Sequence, residues 1–136
     1  MSSQSSLYLR QYILEHVLMH ADNPSPTDLY LALFTEDPTP AGTGQEVTGD
    51  GYERMEVTWA LLSGRVDAAG NSNNITFPEA LADWGLVTHW GVMDDVTEGN
   101  LLYFGQATLA RDSSAGSVLL VPPNNTLVDL SGDVPE

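Results

Sequence analysis

The chain has 136 residues, enough for one domain with a hydrophobic core, and 42% of them are hydrophobic. It carries 19 acidic residues against four arginines (Arg10, Arg54, Arg65, Arg111) with no lysine, for a formal net charge of −15; such a surface repels phosphate backbones and anionic headgroups, so neither nucleic acid nor a membrane is expected as a partner. The absence of cysteine removes disulfides, thiolate metal sites and a cysteine nucleophile.

In chain order, the Met1 to Ser6 stretch lacks the basic and apolar regions of a signal peptide, and a soluble intracellular product is expected. A helix is predicted from about Ser5 to His20. Leu9, Tyr12, Ile13, His16, Val17 and His20 recur at helical spacing, Leu7 and Leu18 widen the stripe, Ser5 or Ser6 caps the start, and Asn23-Pro24-Ser25-Pro26 ends it. Asp28 to Thr35 reads as a central strand apolar on both faces, with the helix as one cover. Glu36 to Gly51 reads as an exposed contact loop.

Tyr52 to Leu61 alternates, with Met55, Val57 and Trp59 opposite Arg54, Glu56 and Thr58, as in one half-exposed strand. Ser63 to Asn73 reads as a polar link. Five further strands are expected near Asn74 to Phe77, Leu86 to Met93, Leu101 to Ala110, Ser117 to Val121 and Thr126 to Leu130. The expected fold is mainly β: an antiparallel β-sandwich or jelly-roll-like domain with one amino-terminal α-helix, organised as a packing and assembly helix over 1–22 and a sandwich over 23–136 within a single domain. No repeat or low-complexity tract divides it.

The order Leu31-Ala32-Leu33-Phe34-Thr35 with Pro38, then Glu46-Val47 and Gly51-Tyr52-Glu53-Arg54, then Ile75-Thr76-Phe77-Pro78, Ala82-Asp83-Trp84-Gly85, Val87 to Val92 and Gly99 to Tyr103 resembles a group of small structural proteins of tailed viruses, phages and haloarchaeal viruses, described as tail-fibre, minor tail or head-decoration proteins. The resemblance covers about Leu29 to Leu130. It implies a virion component that decorates the capsid or forms part of the tail. It further implies a homo-oligomer, a trimer or pentamer, whose partners are itself and other virion proteins such as the major capsid or tail proteins. It carries over no catalytic residue and no cofactor.

The candidate chemical sites are weak. His16 and His20 stand at a spacing that can offer two imidazoles to zinc, but without cysteine or a His-Glu-x-x-His pattern they read as surface or interface residues. His89 lies within a strand and reads as packed. The oxygen-rich turns at Asp94, Asp95 and Glu98, and at Asp67 with Asn71, Asn73 and Asn74, offer calcium-type ligands without an EF-hand pattern, and acids cluster by chance in so acidic a chain. Gly42 to Gly44 lacks the lysine of a phosphate loop, and Ser63-Gly64 and Ser113-Ser114 form no nucleophile elbow.

Trp59, Trp84 and Trp90 suit a sugar platform, and more readily a core. The functional expectation is therefore a non-enzymatic virion protein acting by oligomerisation and docking, with Tyr8, Tyr12 and Leu18 as interface residues. A carbohydrate-binding adhesion module is the alternative, and a glycan hydrolase or lyase stands last for want of any motif. The lysine-free acidic surface is what a protein working in brine would need for solubility, since molar salt shortens the screening distance to about 3 Å, so a halophilic origin is expected; an ordinary acidic protein that pairs with a basic partner or binds divalent cations is the alternative.

Overall fold

The computed structural model describes residues 3–22 and 25–129. The protein is mainly β, with antiparallel sheets and, among the described residues, one amino-terminal helix and no closed barrel. Ten strands are present among the described residues: β1 (Ser3–Ser5), β2 (Leu29–Phe34), β3 (Met55–Val57), β4 (Trp59–Leu61), β5 (Ala68–Asn71), β6 (Ile75–Thr76), β7 (Gly85–Met93), β8 (Leu101–Ser113), β9 (Leu120–Val121) and β10 (Leu127–Asp129). A five-stranded sheet ordered β1-β8-β7-β2-β3 forms one layer; a three-stranded sheet, β10-β5-β4, and the β6-β9 pair form the other.

Strand alternation explains the layering. On β2, Leu31 and Leu33 pair with Val92 and Trp90 of β7 and face the second layer. There they join Val57, Ile75, Phe77, Trp84, Val87 and Val128 in the main core. The other face of the same sheet carries Ala32, Phe34, Met93, Leu101 and Phe104 in a smaller core. Two glycines make room for these rings. A Cβ on Gly105 would stand 2.6 Å from the Trp90 ring on the paired strand, and one on Gly91 would stand 2.7 Å from the Phe34 ring.

The helix does not cover the central strand as expected, and no helical residue is buried. The expected contact loop does the covering instead. Pro38 is among the fully buried residues, Val47 lies in the main core, and Val47 N–H donates to the Leu33 carbonyl at 2.9 Å while Thr35 N–H donates to that of Gln45 at 3.0 Å. Burying apolar groups and pairing the backbone is what lets a proline- and glycine-rich segment pack rather than sway.

The single strand expected over Tyr52 to Leu61 is two. The chain leaves the first layer after Val57 and enters the second at Trp59, turning at Thr58. Thr58 N–H donates to Asn73 Oδ1 at 3.1 Å, Ser72 N–H donates to the Thr58 carbonyl at 2.8 Å, and Asn73 Nδ2 donates to the Glu56 carbonyl at 3.2 Å. The expected polar link over Ser63 to Asn73 contains β5, whose Asn71 is fully buried and bonded on every side: Nδ2 donates to Asn73 and Pro122 carbonyls, and Oδ1 accepts from the Thr126 amide and hydroxyl. The strand expected over Ser117 to Val121 shortens to Leu120–Val121, and the end expected at Leu130 lies outside the described residues.

Candidate functional site

The amino-terminal segment is an arm built on a fixed root. Ser3 to Ser5 add a strand to the edge of β8, opposite Gly105 to Tyr103. Buried Ser6 then caps the helix α1 (Leu7–Ile13), accepting from Leu9 N–H at 3.1 Å, as the serine-led start predicts. Its hydroxyl also donates to the Leu101 carbonyl, its amide to that of Leu102 at 2.8 Å, and Leu7 N–H to that of Pro40 at 2.8 Å. Arg10 Nε donates to Ser5 Oγ at 3.0 Å.

Beyond Ile13 the helix widens into a π-helical turn, Leu14–Leu18, in which Met19 N–H reaches the Leu14 carbonyl. His20 then takes a left-handed backbone at φ 57°, and Ala21 N–H donates to the Glu15 carbonyl at 2.8 Å. The helical stretch therefore starts later and stops earlier than expected, before the predicted Asn23 to Pro26 stop, of which Asn23 and Pro24 lie outside the described residues. His20 falls past the end, so His16 and His20 do not share a helical face. His16 instead stacks on Tyr12, with ring centroids 5.8 Å apart at 17°, and Tyr12 lies 6.3 Å from Tyr8.

Leu9, Tyr12 and Glu15 make the half-buried side of the arm. Leu7, Tyr8, Ile13, Leu14, Val17, Leu18 and Met19 are exposed, Leu18 to 69% and Met19 to 71%. Of the three expected interface residues, Tyr8 and Leu18 thus stand open and Tyr12 is partly covered. Charge sets this segment apart as well. Residues 1–21 hold one arginine, Arg10, and one glutamate, Glu15, for no net charge; the remaining 18 acids and three arginines give 3 − 18 = −15 in the rest of the chain.

The other candidates have local roles. Asp94 holds its turn together, its Oδ1 accepting from Asn100 N–H at 2.7 Å, while Asp95 Oδ1 accepts from Val96 N–H and Glu98 uses its carbonyl toward Arg54. Among the described residues no three histidine or acidic side chains converge as metal ligands. The second oxygen-rich stretch is consumed by the Asn71 and Asn73 bonds, and Asp67 pairs with Arg65 at 2.8 Å. Gly42 lies over Leu101, and His89 Nδ1 pairs with Thr88 Oγ1 at 2.8 Å.

The tryptophans form no open sugar platform. Trp84 and Trp90 are buried, Trp84 donating Nε1 to the Asp50 carbonyl at 2.9 Å, and Trp59 is half-buried with an indole N–H that meets no acceptor. Ser113 is buried in β8, its hydroxyl likewise without a partner.

One constellation went unread as such in the sequence. Arg54 forks onto Glu46 through Nε and Nη2 at 2.9 and 2.8 Å, and its Nη1 donates to the carbonyls of Asp95 and Glu98 at 2.9 and 2.6 Å. Tyr52 hydroxyl donates to Glu46 at 2.6 Å and accepts from Leu33 N–H at 3.0 Å. Burial, with the Glu46 carboxylate alongside, pushes the Tyr52 hydroxyl far above the ordinary tyrosine range, and the hydrogen bonds that Arg54 donates to Glu46 raise the guanidinium. The available signal was an arginine alternating with apolar residues in a chain with only three others.

Fold and site together describe a β-sandwich carrying an arm with large apolar side chains exposed. The model of the Gp80 family, described as podophage GP4 fiber I protein gp80, matches residues 4–129, and the chain belongs to this family. Membership makes it a viral structural protein and a component of the virion. No curated protein matches the chain.

Proposed function

We propose that the protein is a non-enzymatic subunit of the fibre or tail of a tailed virus, acting by association with its own copies and by docking on larger virion proteins through the amino-terminal arm. The carrying observation is the arm itself: seven large apolar side chains lie exposed on a segment without net charge, in a chain of charge −15. A helical stretch this short is marginal in water without packing, and this one half-buries only Leu9, Tyr12 and Glu15 on its own body, so its exposed apolar side gains from a neighbour. Fibre-family membership favours the tail branch of this reading over capsid decoration. The acidic body suits brine, where salt screens the repulsion between copies and leaves the apolar contact to act.

Sedimentation equilibrium of the full chain from low to molar salt tests the proposal. Association is expected to strengthen with salt and to be lost when Val17→Asn and Leu18→Asn are combined. A single sedimenting chain at every salt concentration would overturn self-association.

A further inference from the structure

A second apolar surface lies between the two layers, on the opposite face of the five-stranded sheet from the start of the helix. It is a groove of about 280 Å³ walled by Trp59, Leu102, Tyr103 and Val128, with Leu61 and Val66 at its rim. The rim residues are open, Leu61 to 63% and Val66 to 90%, although both are large and apolar. Among the described residues that line it, the one carboxylate, Asp67, is engaged by Arg65. A sugar needs ranks of donors and acceptors that such a wall lacks; an uncharged aliphatic surface fits it.

Resting on the association proposed above, we infer that the groove receives the Leu14, Val17 and Leu18 stripe of a second copy, so that copies join arm to groove. Charge selects this occupant: for a molecule of −15, the stretch of a like molecule that approaches at least electrostatic cost is the neutral one, and that stretch is also the one displaying apolar side chains. The arm does not fill the groove of its own chain. Its helix starts beside Phe34, Pro40 and Leu101 on the far face of the sheet, and no described arm residue lines the groove. A contact between two different patches of identical molecules is heterologous, and it propagates as a ring or an open array rather than stopping at a symmetric pair.

The test uses the full chain in molar salt, with folding of each variant checked by circular dichroism. The groove variant combines Leu61→Asn with Val66→Asn; the arm variant combines Val17→Asn with Leu18→Asn. All four positions are exposed, so the core is untouched. Each variant alone is expected to raise the dissociation constant roughly a hundred-fold. Mixed in equal amounts, they are expected to form a two-chain complex and nothing larger, since one retains an arm and the other a groove.

The cysteine-free chain permits a second measurement that loses no contact. Leu18→Cys with Val66→Cys should give a ladder of disulfide-linked oligomers under oxidation, and Leu18→Cys alone should give none. A groove variant that associates like the unmodified protein, or efficient crosslinking through Leu18→Cys alone, would overturn the inference while leaving association through the arm intact. An unmodified chain that never associates would sink both.

Discussion

The arm and the sandwich use apolar residues in opposite ways. The sandwich spends Leu31, Phe77, Trp84, Trp90 and Val92 inward and presents acids to solvent; the arm spends Leu14, Val17, Leu18 and Met19 outward and carries no net charge. The difference separates two kinds of work. The body's apolar residues stabilise a single chain, whereas those of the arm lower free energy only when a second surface arrives.

That contrast breaks most sharply in the core. Trp90→Ala leaves a void over Gly105 and is expected to cost about 3–5 kcal/mol, read from thermal or urea unfolding. Arg54→Ala takes the guanidinium from the carbonyls of Asp95 and Glu98 and leaves Glu46 with only the Tyr52 hydroxyl as side-chain donor; with Glu46 part-exposed, the expected cost is about 2–3 kcal/mol in the same measurement. Raising salt from low to molar concentration should shift the melting midpoint upward as carboxylate repulsion is screened, and a flat series would count against the brine reading. The paired Val17→Asn and Leu18→Asn substitutions should change the unfolding free energy of the isolated chain by less than about 0.5 kcal/mol while abolishing association. A large stability loss there would mean that the arm serves its own body after all.

Much of the sandwich was legible because apolar runs and turn residues reflect local rules. Strands β2, β7 and β8 fall where runs such as Leu29 to Phe34 and Leu86 to Met93 place them, and Ser6 caps the helix as a serine should. The misses arise where distant residues decide. Ser-Gln-Ser has no strand pattern, yet it pairs because β8 offers an open edge. Ala68 to Asn71 looks like a link because its residues are small, and small is what the position demands: a Cβ on Gly70 would meet Asn124 at 2.4 Å. The break at Thr58 is invisible in the alternation of Met55, Val57 and Trp59, since all three still turn toward the main core while the backbone changes sheets.

For the site, the apolar stripe was readable but its destination was not. Periodicity tells which side of a helix is greasy, not whether its own sheet lies beneath it. The Glu46, Tyr52 and Arg54 cluster joins residues up to eight positions apart to a turn more than forty positions away, a connection no local pattern announces.

The triple fastening at Ser6 and Leu7 has a thermodynamic corollary. Because the base of the arm is bonded to β8 and to the Pro40 loop before any neighbour arrives, its heading is chosen during folding rather than during capture. Less orientational freedom then remains to be surrendered at the encounter, so under the proposed arm-to-groove contact a modest apolar footprint would suffice to hold successive subunits at one repeated angle.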